Sequence, residues 1–180
     1  SLNLITMMSG VATATRAWVD ALAGTTTKVR DSRKTIPGLR MLQKYAVRIG
    51  GGINHRMSLA DAALIKDNHV IATGGVVAAY RAVRKSFPDI PIEVEVTSAE
   101  QAREVVAAGA IEILLDNMNS TAMAGIVAEL GDRATFEASG GLTIQKATEI
   151  AQTGVNFVAV GAITHSAPIL DIAFDFASES

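Results

Sequence analysis

The sequence predicts an α/β fold, specifically a short or open parallel α/β barrel of six or seven strands. Short apolar runs alternate with helical patterns from end to end, and most runs are apolar on both faces, as in a buried parallel sheet. Polar residues follow nearly every strand, which favours a barrel over a doubly wound sheet, because a barrel gathers its strand ends around one mouth. At 180 residues the chain is shorter than a typical eight-stranded barrel of about 250 residues. We therefore expect one domain over residues 1–180, with a ligand site at the carboxyl ends of the strands.

The strands and helices of this barrel are marked by local signals along the chain. Six strands are predicted, at residues 27–33, 62–67, 92–97, 112–117, 135–139 and 157–162. Between them, Ser98 with Gln101 predicts a capping box, Asn119 or Ser120 predicts a second helix start, and Thr143 predicts a third. Repeated units of this kind predict right-handed crossovers and a parallel sheet.

The helix after the first strand has its own signals. Pro37 suits the first position of a helix, and the glycines from Gly50 suit its end. Leu39, Leu42 and Ile49 lie between them, and we expect these three side chains to face the core.

Composition excludes several classes of protein. Hydrophobic residues make up 49% of the chain, charged residues 19%, and the mean hydropathy is +0.29, which excludes intrinsic disorder. The sequence has no cysteine, so disulfides and thiolate chemistry are excluded. No apolar run approaches the roughly 18 residues of a membrane span. The chain opens at Ser1 without a signal-peptide pattern, so we expect a cytoplasmic protein with further sequence upstream.

Charge is unevenly divided along the chain. Residues 1–70 carry ten Lys and Arg against four Asp, whereas residues 71–180 carry six basic and fourteen acidic side chains. The basic residues are spread over about 50 positions with few aromatics to stack bases, so nucleic acid is not the expected partner. Anionic small molecules are expected instead.

Basic side chains stand at several predicted strand ends. Arg33 offers a planar fork for a carboxylate and Lys34 a point charge for a phosphate, although a solvated loop would look similar. His55 and Arg56 follow three consecutive glycines. Lys66 ends an apolar strand, where it must pair with an acid, face an anion, or act as a Schiff-base nucleophile.

Acidic side chains stand at the next strands. Glu93 and Glu95 share one side of a strand, since side chains repeat every two residues, and Asp116 ends the following strand near Glu95. Such like charges need a metal or strong hydrogen-bond donors, and Mg²⁺ with ribose hydroxyls would satisfy them. Salt bridges to Lys66 and Arg56 are the alternative.

The last two strands end in residues that suit a phosphate. Ser139, Gly140 and Gly141 precede a helix, and glycines let a phosphate approach the backbone N–H groups. The next strand ends at Gly161 and Ala162, with His165 shortly after them. Phosphate sites at the last two strands recur in barrels.

Seven ordered strings together resemble one enzyme family. They are Arg30-Asp31-Ser32-Arg33-Lys34-Thr35, Gly51-Gly52-Ile53-Asn54-His55-Arg56, Leu64-Ile65-Lys66-Asp67-Asn68-His69, Glu93-Val94-Glu95-Val96, Leu115-Asp116-Asn117, Ser139-Gly140-Gly141 and Val160-Gly161-Ala162-Ile163-Thr164-His165-Ser166. In order and over almost the whole chain, they are similar to the quinolinate phosphoribosyltransferases. Ser32 stands where Thr is common in that family, and Ala138 where Ser is frequent.

The resemblance implies an activity, a cofactor and residue roles. Quinolinate and phosphoribosyl pyrophosphate would give nicotinate mononucleotide, pyrophosphate and CO₂, with Mg²⁺. The residues implied to hold quinolinate are Arg33, His55, Arg56 and Lys66. Those implied at phosphoribosyl pyrophosphate are Lys34, Lys66, Glu95, Asp116, Ser139, Gly140, Gly141 and Gly161, with Lys66, Glu95 and Asp116 catalytic. Glu95 and Asp116 would serve Mg²⁺ directly or through ribose hydroxyls.

The resemblance also implies an assembly. The family's barrel follows an N-terminal sandwich domain that caps the partner's barrel in a homodimer, and we expect residues 1–180 to correspond to the barrel without that domain. We therefore expect this chain alone to bind phosphoribosyl pyrophosphate with negligible turnover of quinolinate. Three alternatives remain open: a paralogous phosphoribosyltransferase for another small acid or base, a Schiff-base aldolase using Lys66, and a non-catalytic binding module.

Overall fold

A computed structural model describes residues 1–176, and its six strands run parallel in one sheet. The strands are β1 (Lys28–Arg30), β2 (Ala63–Ile65), β3 (Ile92–Val96), β4 (Glu112–Asp116), β5 (Thr135–Ser139) and β6 (Phe157–Ala159). Their order across the sheet is β1-β6-β5-β4-β3-β2. Each strand lies within its predicted segment, which confirms the α/β class and the strand count.

The strand order is that of an open barrel. Strands that are consecutive in the chain lie side by side from β2 to β6, and β6 then pairs with β1. The sheet therefore curls back to its first strand, and only the pairing of β1 with β2 is missing among the described residues. Ile53 occupies the free side of β1, where its N–H donates to Val29 O at 2.9 Å and its carbonyl accepts from Asp31 N at 3.1 Å.

Helices surround this sheet. They are α1 (Leu2–Ala21), α2 (Arg40–Ile49), α3 (Asp67–Thr73), α4 (Val76–Ser86), α5 (Ala99–Ala107), α6 (Ser120–Leu130), α7 (Ala147–Gln152) and α8 (Ala162–His165), with a 3₁₀ turn at Ile144–Lys146 before α7. Ser98 Oγ accepts from Gln101 N at 3.2 Å and Asn119 Oδ1 accepts from Ala122 N at 2.9 Å, so Ser98 and Asn119 cap their helices. The reciprocal bond of the predicted capping box differs, because Gln101 Oε1 accepts from Thr97 N at 2.9 Å instead of from Ser98 N. Thr143 precedes the 3₁₀ turn without a side-chain cap. None of these helices of residues 1–176 combines the length and apolarity needed to cross a bilayer.

The strands separate an apolar layer from a polar interior. On β3, Ile92, Val94 and Val96 are buried against the helices, whereas Glu93 and Glu95 alternate with them and face the inside of the barrel. Because side chains alternate along the strand, the aliphatic ones pack against the helices and the polar ones face the barrel interior.

The buried face of α2 differs from the prediction. The helix begins at Arg40 rather than at Pro37, and Leu42 and Ile49 are 41% and 64% exposed. Gln43, Lys44, Ala46 and Val47 are buried in their place. The prediction was wrong because it sorted side chains by hydrophobicity, whereas buried polar partners elsewhere in the fold hold Gln43 and Lys44.

Candidate active site

The carboxyl ends of the strands open into one cleft of about 750 Å³. Every site residue predicted from the sequence lines it: Arg33, Lys34, His55, Arg56, Lys66, Glu95, Asp116, Ser139, Gly140, Gly141, Gly161, Ala162 and His165. The structure therefore brings the predicted set together. The role of each residue is a separate question, which depends on the contacts that it makes.

The register between neighbouring strands brings Glu95 and Asp116 close to Ser139, the first residue of the predicted phosphate turn. Asp116 pairs with Ser139 across β4 and β5, and Glu95 pairs with Leu114, two residues before Asp116. Since inward side chains repeat every two residues, these residues follow one another along the same rim of the barrel.

The loop that carries Arg33 and Lys34 is braced by Arg40. The Arg40 guanidinium donates to Thr35 Oγ1 at 3.0 Å, to Arg33 O at 3.3 Å and to Met57 O at 3.3 Å. Thr164 Oγ1 donates to Lys34 O at 2.7 Å. The backbone of this basic loop is thus tied to α2, to α8 and to the segment that follows Arg56.

Arg33 and Arg56 place uncompensated positive charge in the cleft. Arg33 Nε is buried and has no hydrogen-bond partner within residues 1–176, and neither guanidinium forms an ion pair within that range. Burial, and then the charge on Arg33, lower the pKa of Arg56, while Glu93 opposes the shift. Two guanidiniums that repel each other in one cleft form an anion site.

Lys66 is paired with an acid, as one of the sequence alternatives required. Its Nζ donates to Glu95 Oε2 at 2.8 Å, and its side chain is half exposed to the cleft. Its backbone N–H donates to His69 Nδ1 at 2.9 Å, which fixes the start of α3. An ammonium held by this carboxylate has no free lone pair, so the Schiff-base alternative is disfavoured.

Beneath the cleft, the barrel holds a buried polar cluster. His55 Nε2 lies 2.6 Å from Glu93 Oε2 and 3.9 Å from Glu137 Oε1, and Arg30 Nη1 donates to Glu137 Oε2 at 2.8 Å. Burial, and then the charge on Glu93, raise the pKa of Glu137 from its ordinary 4.5 to about 7, although Arg30 opposes the shift. The desolvation of this carboxyl therefore outweighs its ion pair.

Asp116 is held by its neighbour in the chain. Asn117 Nδ2 donates to Asp116 Oδ2 at 2.7 Å, and Asn117 adopts a left-handed backbone conformation with φ of 53°. Asparagine tolerates that conformation better than most residues. Asn117 also packs against Gly140. The same residue therefore supports the Asp116 carboxylate and the turn Ser139-Gly140-Gly141.

The acidic residues of the cleft fit Mg²⁺ as a partly hydrated ion. Glu95 and Asp116 offer hard oxygen donors, and Mg²⁺ in proteins is commonly held by one or two carboxylates together with water and substrate phosphates. Within residues 1–176, neither belongs to a group of three side chains whose ligand atoms lie within 4.8 Å of one another. The donor set therefore suits a site completed by the substrate.

The lack of a side chain at Gly161 allows the His165 ring to lie close to the backbone that follows β6. A Cβ at Gly161 would lie 3.2 Å from His165 Nε2 and 3.3 Å from Ser32 Oγ, so any larger residue would crowd both. The His165 ring is held from its other side, where Nδ1 lies 2.6 Å from Ser166 Oγ.

Sequence reasoning missed the residues that support the cleft. Arg40 and Asn117 received no role, and Gln43 was not expected to be buried, although its Oε1 accepts from Ile36 N at 2.8 Å and its Nε2 donates to Thr164 O at 2.5 Å. Asn117 had a signal, because it directly follows Asp116. The partners of Arg40 and Gln43 are distant in the chain, and no local pattern identifies them.

Comparisons with known proteins agree with this site. The family model for the "Quinolinate phosphoribosyl transferase, C-terminal domain" matches residues 11–175. Nicotinate-nucleotide pyrophosphorylase [carboxylating] of Mycobacterium leprae (strain TN) is 55% identical over 177 residues, which are 97% of this chain and 62% of that protein. The probable enzyme of the same name from Bacillus subtilis (strain 168) is 45% identical over 97% of this chain and 61% of its own length.

A solved structure shows the same fold. The crystal structure of NadC from Streptococcus pyogenes superposes with a TM-score of 0.91 at 41% identity, covering 94% of this chain and 60% of that one. The chain thus spans about three fifths of the length of the relatives that it matches.

Proposed function

The chain belongs to the quinolinate phosphoribosyltransferase family, and from that premise we propose that it catalyses phosphoribosyl transfer to quinolinate. The donor is phosphoribosyl pyrophosphate, and the products are nicotinate mononucleotide, pyrophosphate and CO₂, as a step of NAD biosynthesis. The chain corresponds to the part of the family that carries the strand-end cleft.

The pair of uncompensated guanidiniums carries this proposal. Quinolinate presents two adjacent carboxylates, and Arg33 and Arg56 are two cations in one cleft without acidic partners among residues 1–176. A dianion relieves their repulsion and supplies the partner that the buried Arg33 Nε lacks. Lys66 adds a third positive charge to the same cleft.

The side of the cleft formed by the ends of β5 and β6 suits the phosphoribosyl donor. Gly140 and Gly141 have φ values of +93° and +57°, which leave their N–H groups on a tight turn beside Ser139. Gly161 and His165 stand next to that turn on the neighbouring strand end. We assign the 5′-phosphate to these residues and the pyrophosphate to Lys34 and Lys66.

Glu95 on β3 and Asp116 on β4 suit the reacting ribose, since these strands lie between β2, which precedes Lys66, and β5. When pyrophosphate departs with its bonding electron pair, the ribose gains oxocarbenium character, which ionised carboxylates stabilise electrostatically. Mg²⁺, when bound at Glu95 and Asp116, would neutralise the departing pyrophosphate. The Lys66–Glu95 ion pair keeps both side chains oriented before substrate arrives.

Loss of CO₂ follows from the chemistry of the pyridine ring. Once its nitrogen has formed the bond to ribose, the ring is cationic and withdraws electrons. The carboxylate on the adjacent carbon then leaves as CO₂, its bonding pair stays on the ring carbon, and a proton replaces it. The protein contributes orientation and charge neutralisation.

Calorimetric titration of the 180-residue chain with quinolinate and with nicotinate tests the proposal. Nicotinate lacks one of the two carboxylates, so we expect quinolinate to bind roughly tenfold or more tightly, since charge-assisted contacts contribute about 1.5–3 kcal/mol each. Binding is the chosen readout because Arg33, Arg56 and Lys66, the cations assigned to quinolinate, all line the cleft of this chain. Equal affinities, or no binding of either acid, would overturn the proposal.

Assembly and location belong to the same proposal. We propose a homodimer or higher oligomer of the full-length protein, as the resemblance implies, and a cytoplasmic location. Sedimentation of the full-length protein across a concentration series measures the first, and a monomer at all concentrations would contradict it.

A further inference from the structure

His55 makes protein contacts through both of its ring nitrogens. Nδ1 accepts a hydrogen bond from the backbone N–H of Arg56 at 2.8 Å. Nε2 lies 2.6 Å from Glu93 Oε2. Only about 10% of the side chain is exposed, although the residue lines the cleft.

These two contacts fix the protonation of the ring. A nitrogen that accepts from an N–H group carries no proton, so the single ring proton is on Nε2. Nε2 therefore donates to Glu93, and the ring is the neutral Nε2–H tautomer. An imidazolium is excluded in this arrangement, because a proton on Nδ1 would point at the Arg56 N–H.

Glu93 is the group placed to select this tautomer. It is 3% exposed and lies on β3 below Glu95, facing the barrel interior. Glu137 is the nearest competitor, but its Oε1 is 3.9 Å from His55 Nε2 and its Oε2 is held by Arg30. Arg30 is itself fixed over the Phe157 ring at 3.9 Å, so this ion pair keeps Glu137 away from the histidine.

A metal ion does not explain this cluster. The ligand atoms of His55, Glu93 and Glu137 lie within 4.8 Å of one another, which is close enough to hold one. A metal on Nε2 would displace the proton there, and the proton would have to move to Nδ1, where it would meet the Arg56 N–H. The cluster is therefore built for a proton and not for a metal.

We propose that Glu93 is a positioning residue, which holds His55 in the Nε2–H tautomer so that Nδ1 can anchor the backbone of Arg56. This inference rests on the proposed function for its effect on quinolinate. Its structural part stands independently, because the chain of contacts runs from Glu93 through His55 to Arg56 without any ligand. The consequence for binding is that Glu93 acts on the substrate through Arg56, whose backbone it positions by way of His55 and whose charge it also attracts.

Long-range proton–nitrogen NMR of the histidine rings tests the structural part. The chain has three histidines, and His55 is identified by the signal that His55→Asn removes. In the wild type we expect a protonated Nε2 and an unprotonated Nδ1. Glu93→Gln should keep this pattern, because its amide oxygen still accepts, whereas Glu93→Leu should give a mixture of the two neutral tautomers. A protonated Nδ1 in the wild type overturns the proposal without any variant.

Calorimetry on the same proteins tests the consequence. Glu93→Leu should weaken quinolinate binding roughly tenfold and leave phosphoribosyl pyrophosphate affinity within about twofold, since loss of one anchoring contact acts on one substrate. Glu93→Gln should recover most of that loss. Glu112→Leu is the matched control, because Glu112 lines the same cavity of about 240 Å³ as Glu93 and is not among the hydrogen-bond or ion-pair partners of His55 within residues 1–176.

The outcomes separate the two claims. Equal effects of Glu93→Leu and Glu112→Leu on quinolinate, or unchanged binding in Glu93→Leu, would overturn the positioning role. If no variant and no wild-type protein binds quinolinate while the tautomers behave as expected, the result supports Glu93 as the residue that sets His55 and overturns the proposed function.

Discussion

At the scale of single residues, Arg56 and Lys66 should differ in which ligands their loss affects. Arg56→Ala should weaken quinolinate binding by roughly 10- to 100-fold, because it removes a charge-assisted contact of about 1.5–3 kcal/mol. It should leave phosphoribosyl pyrophosphate affinity unchanged. Lys66→Ala should weaken the binding of both ligands, since Lys66 is assigned to quinolinate and to the pyrophosphate. Calorimetry with each ligand measures this, and Arg81→Ala, an exposed arginine on α4, is the control. Unchanged quinolinate affinity in both variants would contradict the assignment.

Glu137 should make stability depend on pH near neutrality. Its pKa is about 7 in the folded protein and 4.5 ordinarily, so the folded state binds the extra proton between these values. Stability due to this group therefore falls as pH rises from about 4.5 to 7, by at most about 1.4 kcal/mol per pH unit. Glu137→Gln removes this loss and should gain stability over the wild type between pH 5 and 7.5.

Denaturant unfolding at pH 5 and at pH 7.5 measures the difference in stability between Glu137→Gln and the wild type. Glu129 is the control carboxyl. Arg103 lowers the pKa of the exposed Glu129, so Glu129 stays ionised over this range and Glu129→Gln should show the same pH dependence of stability as the wild type. If the wild type and Glu137→Gln lose stability in parallel, the buried carboxyl does not titrate in this range.

The residues of the cleft could be predicted from the sequence, and their contacts could not. Arg33, Lys66 and Asp116 each follow an apolar run, and the ends of parallel strands meet, so position along the chain was enough to group them. The pairing of His55 with Glu93 joins residues 38 positions apart. Such a contact depends on how the barrel closes, which a local pattern does not report.

At the scale of elements, α2 shows where hydrophobic periodicity misleads. Its buried face carries Gln43 and Lys44 because each finds buried partners: Gln43 bonds Thr164 O and Ile36 N, and Lys44 bonds Asp31 and His55 O. Burial of a polar group costs little when its hydrogen bonds are satisfied. The helix therefore turns its polar face inward and supports the basic loop, leaving Met41 and Ile49 exposed.

The turn after β5 should be sensitive to one added carbon. A Cβ at Gly140 would lie 2.2 Å from Asn117 Oδ1 and 2.8 Å from Asn117 N, so Gly140→Ala must displace the residue that holds Asp116. We expect at least a tenfold loss of phosphoribosyl pyrophosphate affinity and a loss of stability beyond the roughly 1–2 kcal/mol of left-handed strain.

Gly74→Ala isolates the strain. Gly74 has φ of +78°, close to the +93° of Gly140, and a Cβ there would meet nothing within 4 Å. Thermal unfolding and calorimetry of both variants therefore separate backbone strain from collision. Equal losses of stability with unchanged ligand affinity would show that Asn117 yields to the new carbon and that the turn does not depend on it.

At the scale of the whole molecule, a buried ionic cluster closes the open side of the barrel. β1 lacks β2 as a neighbour, and the segment at Ile53 lies beside it instead. Asp31, just after β1, accepts from Lys44 Nζ, from Asn54 Nδ2 at 2.6 Å and from His55 N at 2.8 Å. Asp31 and Lys44 are both fully buried. One carboxylate thus joins the first strand, α2 and the segment that carries the anion site.

Lys44→Met should therefore destabilise the whole barrel. It leaves the Asp31 carboxylate buried without a counter-charge, which typically costs about 3–5 kcal/mol. The double change Asp31→Asn with Lys44→Met should cost less than the sum of the two single changes, because no lone charge remains. Arg103→Met is the control, since the Arg103–Glu129 pair is exposed and such pairs contribute about 0–1 kcal/mol. Denaturant unfolding gives all four values. If Lys44→Met costs no more than Arg103→Met, the cluster does not close the barrel, and Asn54 and His55 are held by their backbone contacts alone.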